Sequence, residues 1–270
     1  MPLQVITGNH AAGYALSTAG EANRTARGVA CGIYPITPQT EIVEYVAQFP
    51  FSKGHVVPVE SEHSAMAVSI GAAANGARAF TASSANGLAY MAENIMVAGY
   101  YRLPIVMVAV NRTLGPPWNI WADQGDTLML RDFAWLQFYC ETNQEVLDTT
   151  LLAFKLAEDR RVLLPAMTCM DAFIVSHTQT ETDLPEQEAV DRYLPDLDLP
   201  HRMHPDEART LGGLTWPHEE LSMRLEIDEA MGRVPRVYQE CRESFTEIFG
   251  RDPGDMIQTF GTEDAEVILI

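Results

Sequence analysis

Between residues 8 and 177 the chain alternates two textures: short unbroken apolar runs, and longer stretches in which apolar residues recur every three or four positions. The clearest run is Leu103-Pro104-Ile105-Val106-Met107-Val108-Ala109-Val110. An apolar run without alternation predicts a strand of a parallel sheet covered on both faces. Residues 31–33, 56–59, 79–82, 137–140 and 162–170 predict further strands by the same pattern. Between them, helices are predicted within the Ala-rich segment 8–32, from Pro38 through Ile42, Val43 and Tyr45, over the Ala-rich run closed by Gly76, over 88–98, and over 143–159. Strands alternating with helices in this way specify a doubly wound α/β sheet.

Beyond His177 the texture changes. Residues 179–200 are acidic and interrupted by Pro185, Pro195 and Pro200, which predicts a linker, or an arm laid across a neighbour, with no core element. Residues 217–249 read as a helix with apolar positions at Leu221, Leu225, Ile227, Met231 and Val234. Residues 261–270 read as the start of a further buried strand. The expected organisation is therefore a catalytic-type α/β module over 1–177, an acidic linker and helical segment over 178–260, and the first strand of an incomplete second domain over 261–270. The rest of that domain is expected on another chain, or missing.

Composition narrows the partners. Eighteen basic against 37 acidic residues give a net charge of −19, which argues against nucleic acid and anionic membrane surfaces. No apolar run reaches the roughly 18 residues of a membrane span, and Met1-Pro2-Leu3-Gln4 lacks the basic start of a signal peptide, so the cytoplasm is the expected location. Cys31, Cys140, Cys169 and Cys241 form no C-x-x-C pair, so the chain codes neither an iron–sulfur cluster nor a zinc site. Buried thiols are expected instead.

The candidate chemistry lies where strands end. In open α/β sheets ligands bind outside the carboxyl ends of the strands. Glu60-Ser61-Glu62 falls where the strand at 56–59 gives way to a helix, and one of its acids can simply serve the helix start. Thr37, between Pro35 and Pro38, is either an N-cap worth ~1 kcal/mol or a hydroxyl placed to bind an anion. Ser83-Ser84-Ala85-Asn86-Gly87 is a polar turn after the strand at 79–82, and Arg112 follows the central strand as a fork-shaped donor suited to carboxylate or phosphate. The segment 113–133, with Trp118 and Trp121, is long for a connection and reads as a functional loop, an interface, or an aromatic cover for the core.

Four short patterns in this order carry a resemblance: Tyr34-Pro35-Ile36-Thr37-Pro38, Glu60-Ser61-Glu62, Asn111-Arg112 with Asn119-Ile120-Trp121, and the segment 165–177. Together they resemble the alpha subunits of the pyruvate:ferredoxin oxidoreductase family, the 2-oxoacid:ferredoxin oxidoreductases. The resemblance implies a three-layer α/β thiamin diphosphate-binding fold with a mainly parallel sheet, this chain supplying the pyrimidine-binding module. It implies that Glu62 contacts the aminopyrimidine, that Thr37 and Arg112 hold the oxoacid carboxylate, and that Tyr34 and Asn86 lie on the cofactor side. Such a glutamate favours the imino tautomer of the pyrimidine, which can take the proton from thiazolium C2. The implied reaction is oxidative decarboxylation of pyruvate to acetyl-coenzyme A, with electrons passed to ferredoxin or a similar acceptor. Gly125-Asp126-Thr127 is the only near match to the GDG of a diphosphate site and lacks its second glycine. Magnesium, the diphosphate module and 4Fe-4S clusters are thus expected on a beta-type subunit and other partner subunits, and the thiamin diphosphate is expected to be shared with them. Another 2-oxoacid such as 2-oxoglutarate, or a non-catalytic scaffold of the same fold, is the competing expectation.

Overall fold

In the computed structural model, which describes residues 3–268, the long apolar run becomes a strand buried along its whole length, Ile105–Asn111. In chain order the elements are β1 (Leu3–Thr7), α1 (Gly8–Glu21), β2 (Val29–Ile33), α2 (Thr40–Gln48), β3 (Gly54–Pro58), α3 (Glu62–Ala74), β4 (Arg78–Ser83), α4 (Ala85–Tyr90), α5 (Ala92–Tyr100) and β5 (Ile105–Asn111). There follow α6 (Gly125–Leu128), β6 (Leu136–Cys140), α7 (Asn143–Glu158), β7 (Ala166–Asp171), β8 (Gln179–Asp183), α8 (Gln187–Tyr193) and α9 (Pro217–Phe249).

Six strands form a parallel sheet in the order β3-β2-β4-β5-β7-β6. Side chains alternate across a strand, and β5 shows the result. Val106, Val108 and Val110 join a core with Leu16 of α1 and Leu151 and Phe154 of α7, while Ile105, Met107 and Ala109 join a second core with Met66 of α3 and Ile95 of α5. Both faces are covered, which makes the fold the expected three-layer α/β arrangement.

The segment beyond residue 177 departs from expectation. β8 pairs antiparallel with β1, Thr7 opposite Gln179. α8 buries Val190 and Tyr193 completely, and α9 buries a stripe from Ile227 through Val234, Tyr238 and Cys241 to Phe249 against the first core. Residues 178–200 therefore carry elements of this domain's own outer layer. The prolines fall between the short elements, where they break nothing, and several acidic residues find local partners: Asp191 with Arg24 at 2.6 Å, and Asp183 with Arg251 at 3.0 Å. Between α8 and α9, over residues 194–216, there is no helix or strand apart from one isolated bridge. Residues 261–268 form turns and bends with no strand, and residues 269 and 270 of the expected terminal strand lie outside the described part. The helix expected over 88–98 is divided at Met91 into α4 and α5.

All four cysteines are buried and unpaired, and burial pushes the Cys31 thiol up to about 12. No helix among the described residues is long and apolar enough to cross a membrane.

At the amino end of β4 a buried charge is completely satisfied. Arg78 at the start of β4 has no exposed surface; its guanidinium donates to Glu158 at 2.6 and 2.7 Å, to the Ala19 carbonyl at 2.8 Å and to the Pro195 carbonyl at 2.9 Å. One side chain thereby ties β4 to α1, α7 and the segment after α8. Removing one member of a buried pair leaves its partner uncompensated, so Arg78→Ala should lower stability to urea by ~3–5 kcal/mol. The double replacement Arg78→Met/Glu158→Leu should recover most of that loss, and a recovery of none of it would show that the two backbone contacts carry the effect.

Candidate functional site

Four neighbouring strands deliver the expected residues to one edge of the sheet, the carboxyl ends of β3, β2, β4 and β5. After β3 the chain turns at Ser61, whose side chain accepts from the Ser64 backbone N–H and caps α3. Glu62 is then the first residue of that helix and is only 8% exposed. Glu60 points to solvent, where the Ser64 hydroxyl donates to it and holds its carboxyl below the usual range. The cap is therefore Ser61, leaving Glu62 without a capping duty. α3 can lie this close to the sheet because Gly32 of β2 has no side chain; a Cβ there would run into the Ala65 backbone of α3.

Among the described residues nothing bonds to the Glu62 carboxylate. The neighbouring hydroxyls of Ser61 and Ser64 serve each other, the Ser64 amide and Glu60. On the other side of Glu62 stands Gly87 of α4. A Cβ added there would lie 2.8 Å from Glu62 Oε1 and closer still to Ser83 Oγ, so the glycine keeps a space between carboxylate and helix. Ser83, at the end of β4, is fully buried, and among the described residues its hydroxyl has no partner. A buried hydroxyl and a nearly buried carboxylate left unbonded around one space are what a ligand-binding site requires, since such atoms are otherwise satisfied in native structures.

Arg112 completes the cluster. It is 8% exposed, and its Nη1 donates to the Thr37 carbonyl at 2.6 Å. Its Nε is buried without a partner among the described residues. Burial pushes the guanidinium below its ordinary pKa, and the Asp126 and Glu62 carboxylates act against that. Glu62, Thr37 and Arg112 thus share one edge, as the sequence pattern led us to expect.

Other assignments change. Thr37 does not cap α2: that helix begins at Thr40 after a turn in which Gln39 donates from its backbone to Ile36 O at 2.9 Å and from its side chain to Tyr34 O at 2.7 Å. The Thr37 side chain is left exposed at the edge, and Tyr34 lies half-buried where the chain leaves β2. Asn86 makes a contact within the chain. Its amide donates to Gly115 O at 3.1 Å and accepts from Gly115 N–H at 2.9 Å, which pins the start of the Trp118–Trp121 loop. His63 turns outward, 3.6 Å from Glu93. In the loop itself Trp118, Ile120 and Trp121 are exposed, and Trp121 packs edge-on to Phe173, ring centres 5.4 Å apart.

Sequence reading passed over Ser83 and Gly87 as turn residues and Asp126 as a failed diphosphate motif. Asp126 is fully buried and accepts four hydrogen bonds. Its donors come from three separate segments, so no local spacing announces it.

A family model described as "Pyruvate flavodoxin/ferredoxin oxidoreductase, thiamine diP-bdg" matches residues 21–243. The chain is 42% identical over 273 residues to pyruvate synthase subunit PorA of Methanothermobacter thermautotrophicus, covering 100% of this chain and 69% of that protein. It is 44% identical over 272 residues to ketoisovalerate oxidoreductase subunit VorA of Pyrococcus horikoshii, covering 99% of this chain and 66% of that one. The chain thus spans about two thirds of the length of the curated relatives it matches. Among solved structures, its fold is similar to a 2-oxoglutarate:ferredoxin oxidoreductase from Magnetococcus marinus with 2-oxoglutarate, coenzyme A and succinyl-CoA bound. The TM-score is 0.67 at 21% identity, over 86% of this chain and 45% of that chain, a likeness of fold.

The space beside Gly87 makes a direct prediction. Gly→Ala inside a helix ordinarily stabilises by up to about 1 kcal/mol, but here the methyl group meets Ser83 Oγ and Glu62 Oε1. A crystal structure of Gly87→Ala should show the Glu62 carboxylate swung away from α4, with stability to urea changed by less than ~1 kcal/mol. An unmoved Glu62 would contradict this account of the glycine.

Proposed function

Because the chain belongs to the pyruvate flavodoxin/ferredoxin oxidoreductase family, we propose that it is the alpha-type chain of a thiamin diphosphate-dependent enzyme that oxidises pyruvate to acetyl-coenzyme A. The observation that carries this reading is the carboxylate of the nearly buried Glu62, which has no donor among the described residues, beside the Ser83 hydroxyl, which has no partner among them. An aminopyrimidine presents a protonated ring nitrogen to a carboxylate and an amino group to an acceptor, so the Glu62 and Ser83 oxygens, as acceptors, fit that half of the cofactor. When bound, thiamin diphosphate supplies a nucleophilic carbon that adds to the ketone and an electron sink for the loss of carbon dioxide.

The residues of this chain have narrower duties. Glu62 holds a proton at the ring nitrogen and so governs the base that deprotonates the cofactor. Tyr34 stands beside that half of the site and narrows it. Arg112, through its free Nε, and the exposed Thr37 hydroxyl hold the carboxylate of the oxoacid and present its carbonyl for attack, a charge-assisted and oriented contact. A non-catalytic scaffold offers no use for an unpaired, mostly buried carboxylate, which weighs against that alternative.

The other half of the site belongs, on this reading, to a beta-type subunit carrying magnesium and the diphosphate module. The exposed Trp118, Ile120 and Trp121 beside the edge suit such a neighbour. Further subunits with 4Fe-4S clusters would pass electrons to ferredoxin or a similar acceptor, coenzyme A would take the acyl group, and the four unpaired thiols suit the reducing cytoplasm.

Pyruvate is the substrate we propose because, on the four strand ends among the described residues, Arg112 is the only Arg or Lys. A dicarboxylic oxoacid would need a second cation. The ketoisovalerate relative favours a second reading, a branched 2-oxoacid, which keeps the single carboxylate. Turnover of pyruvate, 2-ketoisovalerate and 2-oxoglutarate by the assembled complex separates these. The account predicts pyruvate first and 2-oxoglutarate last, and a preference for 2-oxoglutarate would overturn the assignment. Arg112→Leu should lower kcat/KM for the preferred oxoacid by ~2–4 kcal/mol, about 30- to 900-fold, the loss of a desolvated charge-assisted contact.

A further inference from the structure

Asp126 has no exposed surface, and it bonds to three segments around Arg112: Ala85, Asn111 with Arg112, and Thr127. Its Oδ2 accepts from the backbone N–H of Arg112 at 3.1 Å and of Ala85 at 2.9 Å. Its Oδ1 accepts from Asn111 Nδ2 and from the Thr127 backbone N–H, each at 2.8 Å. Ala85 has a φ of +44°, a left-handed conformation that a residue with a Cβ keeps only when its surroundings hold it there. It is followed by Asn86, which grips the Gly115 backbone from both ends of its amide. Burial pushes the Asp126 pKa up and the four donors oppose it. Since every one of these partners donates, a proton on the carboxyl would have no acceptor, and the charged form is the one the pocket accommodates.

We propose that Asp126 is the positioning residue for oxoacid recognition: its carboxylate locks the backbone at Arg112 and Ala85 so that the guanidinium is presented to the substrate carboxylate at the strand edge. This rests on the reading of Arg112 as the group that holds that carboxylate. The chemistry is specific to a carboxylate. An asparagine keeps one acceptor oxygen and turns its NH2 toward two donors, so Asp126→Asn must release one pair of contacts.

The test compares Asp126→Asn, Arg112→Leu and the double variant in the assembled complex, with KM for the oxoacid, kcat and the urea midpoint as readouts. Asp126→Asn is expected to raise KM about 10- to 100-fold while kcat changes by less than about 3-fold. The double variant should have the KM of Arg112→Leu alone, because the two residues act as one unit. A normal KM with lowered stability in Asp126→Asn, or losses that multiply in the double variant, would make Asp126 a purely structural residue. A normal KM in Arg112→Leu would instead overturn the role of Arg112, and the present inference with it. Should Asp126→Asn fail to fold, Asn111→Leu removes one donor at similar volume, and the same non-additive rise in KM, about 3- to 10-fold, is expected. An additive effect there would again count against the proposal.

Discussion

A carboxylate on a residue only 8% exposed, with no donor among the described residues, is the constraint around which the site is arranged. Leaving a buried polar group unsatisfied costs about 1–3 kcal/mol, and more when it is charged. The helix start at Glu62 returns only about 0.3–1 kcal/mol through the macrodipole. Glu62 therefore keeps bonding capacity that an outside donor can use, and the Arg112 guanidinium is the charge that acts with it across the site. The close seating of α3 over Gly32, the missing side chain at Gly87 and the idle Ser83 hydroxyl all preserve that condition.

The two ends of the sheet make opposite choices. At the amino end Arg78 meets a carboxylate and two carbonyls and is sealed from solvent, which holds four elements in register. At the carboxyl end the Ser83 hydroxyl and the Nε of Arg112 are buried without partners, and Glu62 has no donor, among the described residues. Rigidity at one end is what allows unsatisfied groups to persist at the other, because a site that relaxed would satisfy them internally. Asp126 belongs to the first kind of chemistry placed in the second kind of neighbourhood: it is completely bonded, and it bonds the backbone of Arg112, whose own Nε has no partner among the described residues.

Much of this was legible in the sequence, for identifiable reasons. The β5 run emerges from hydrophobicity alone, and so does the existence of α9, but not its buried stripe: the expected Leu221 and Leu225 are exposed, and burial begins at Ile227 and continues through Val237 and Phe245. Glu62 and Arg112 stood out because they directly follow strand ends. The β1 and β8 pair did not, since Gln-Thr-Glu-Thr-Asp has no apolar alternation and is a strand only through its partner. α8 was hidden for a related cause: seven residues between prolines carry too little periodicity to weigh against acidity. Thr37 looked like a cap because the proline after it suggested a helix start, which the turn at Gln39 delays to Thr40. Asn86 and Asp126 show the deeper limit. Both act on backbone groups distant in sequence, Gly115 in one case and Ala85 and Arg112 in the other, and side chain type alone does not disclose such partners.

The central claim is that Glu62, and no other acid at this edge, governs the proton at the cofactor. Hydrogen–deuterium exchange at C2 of thiamin diphosphate, followed by NMR on the assembled complex, reads that step without substrate or electron acceptor. Glu60→Gln should exchange at the unsubstituted rate, because Glu60 faces solvent. Glu62→Gln keeps size and removes the carboxylate, and should slow exchange by about 100-fold or more. Exchange at the unsubstituted rate in Glu62→Gln, or a slowing confined to Glu60→Gln, would contradict the account.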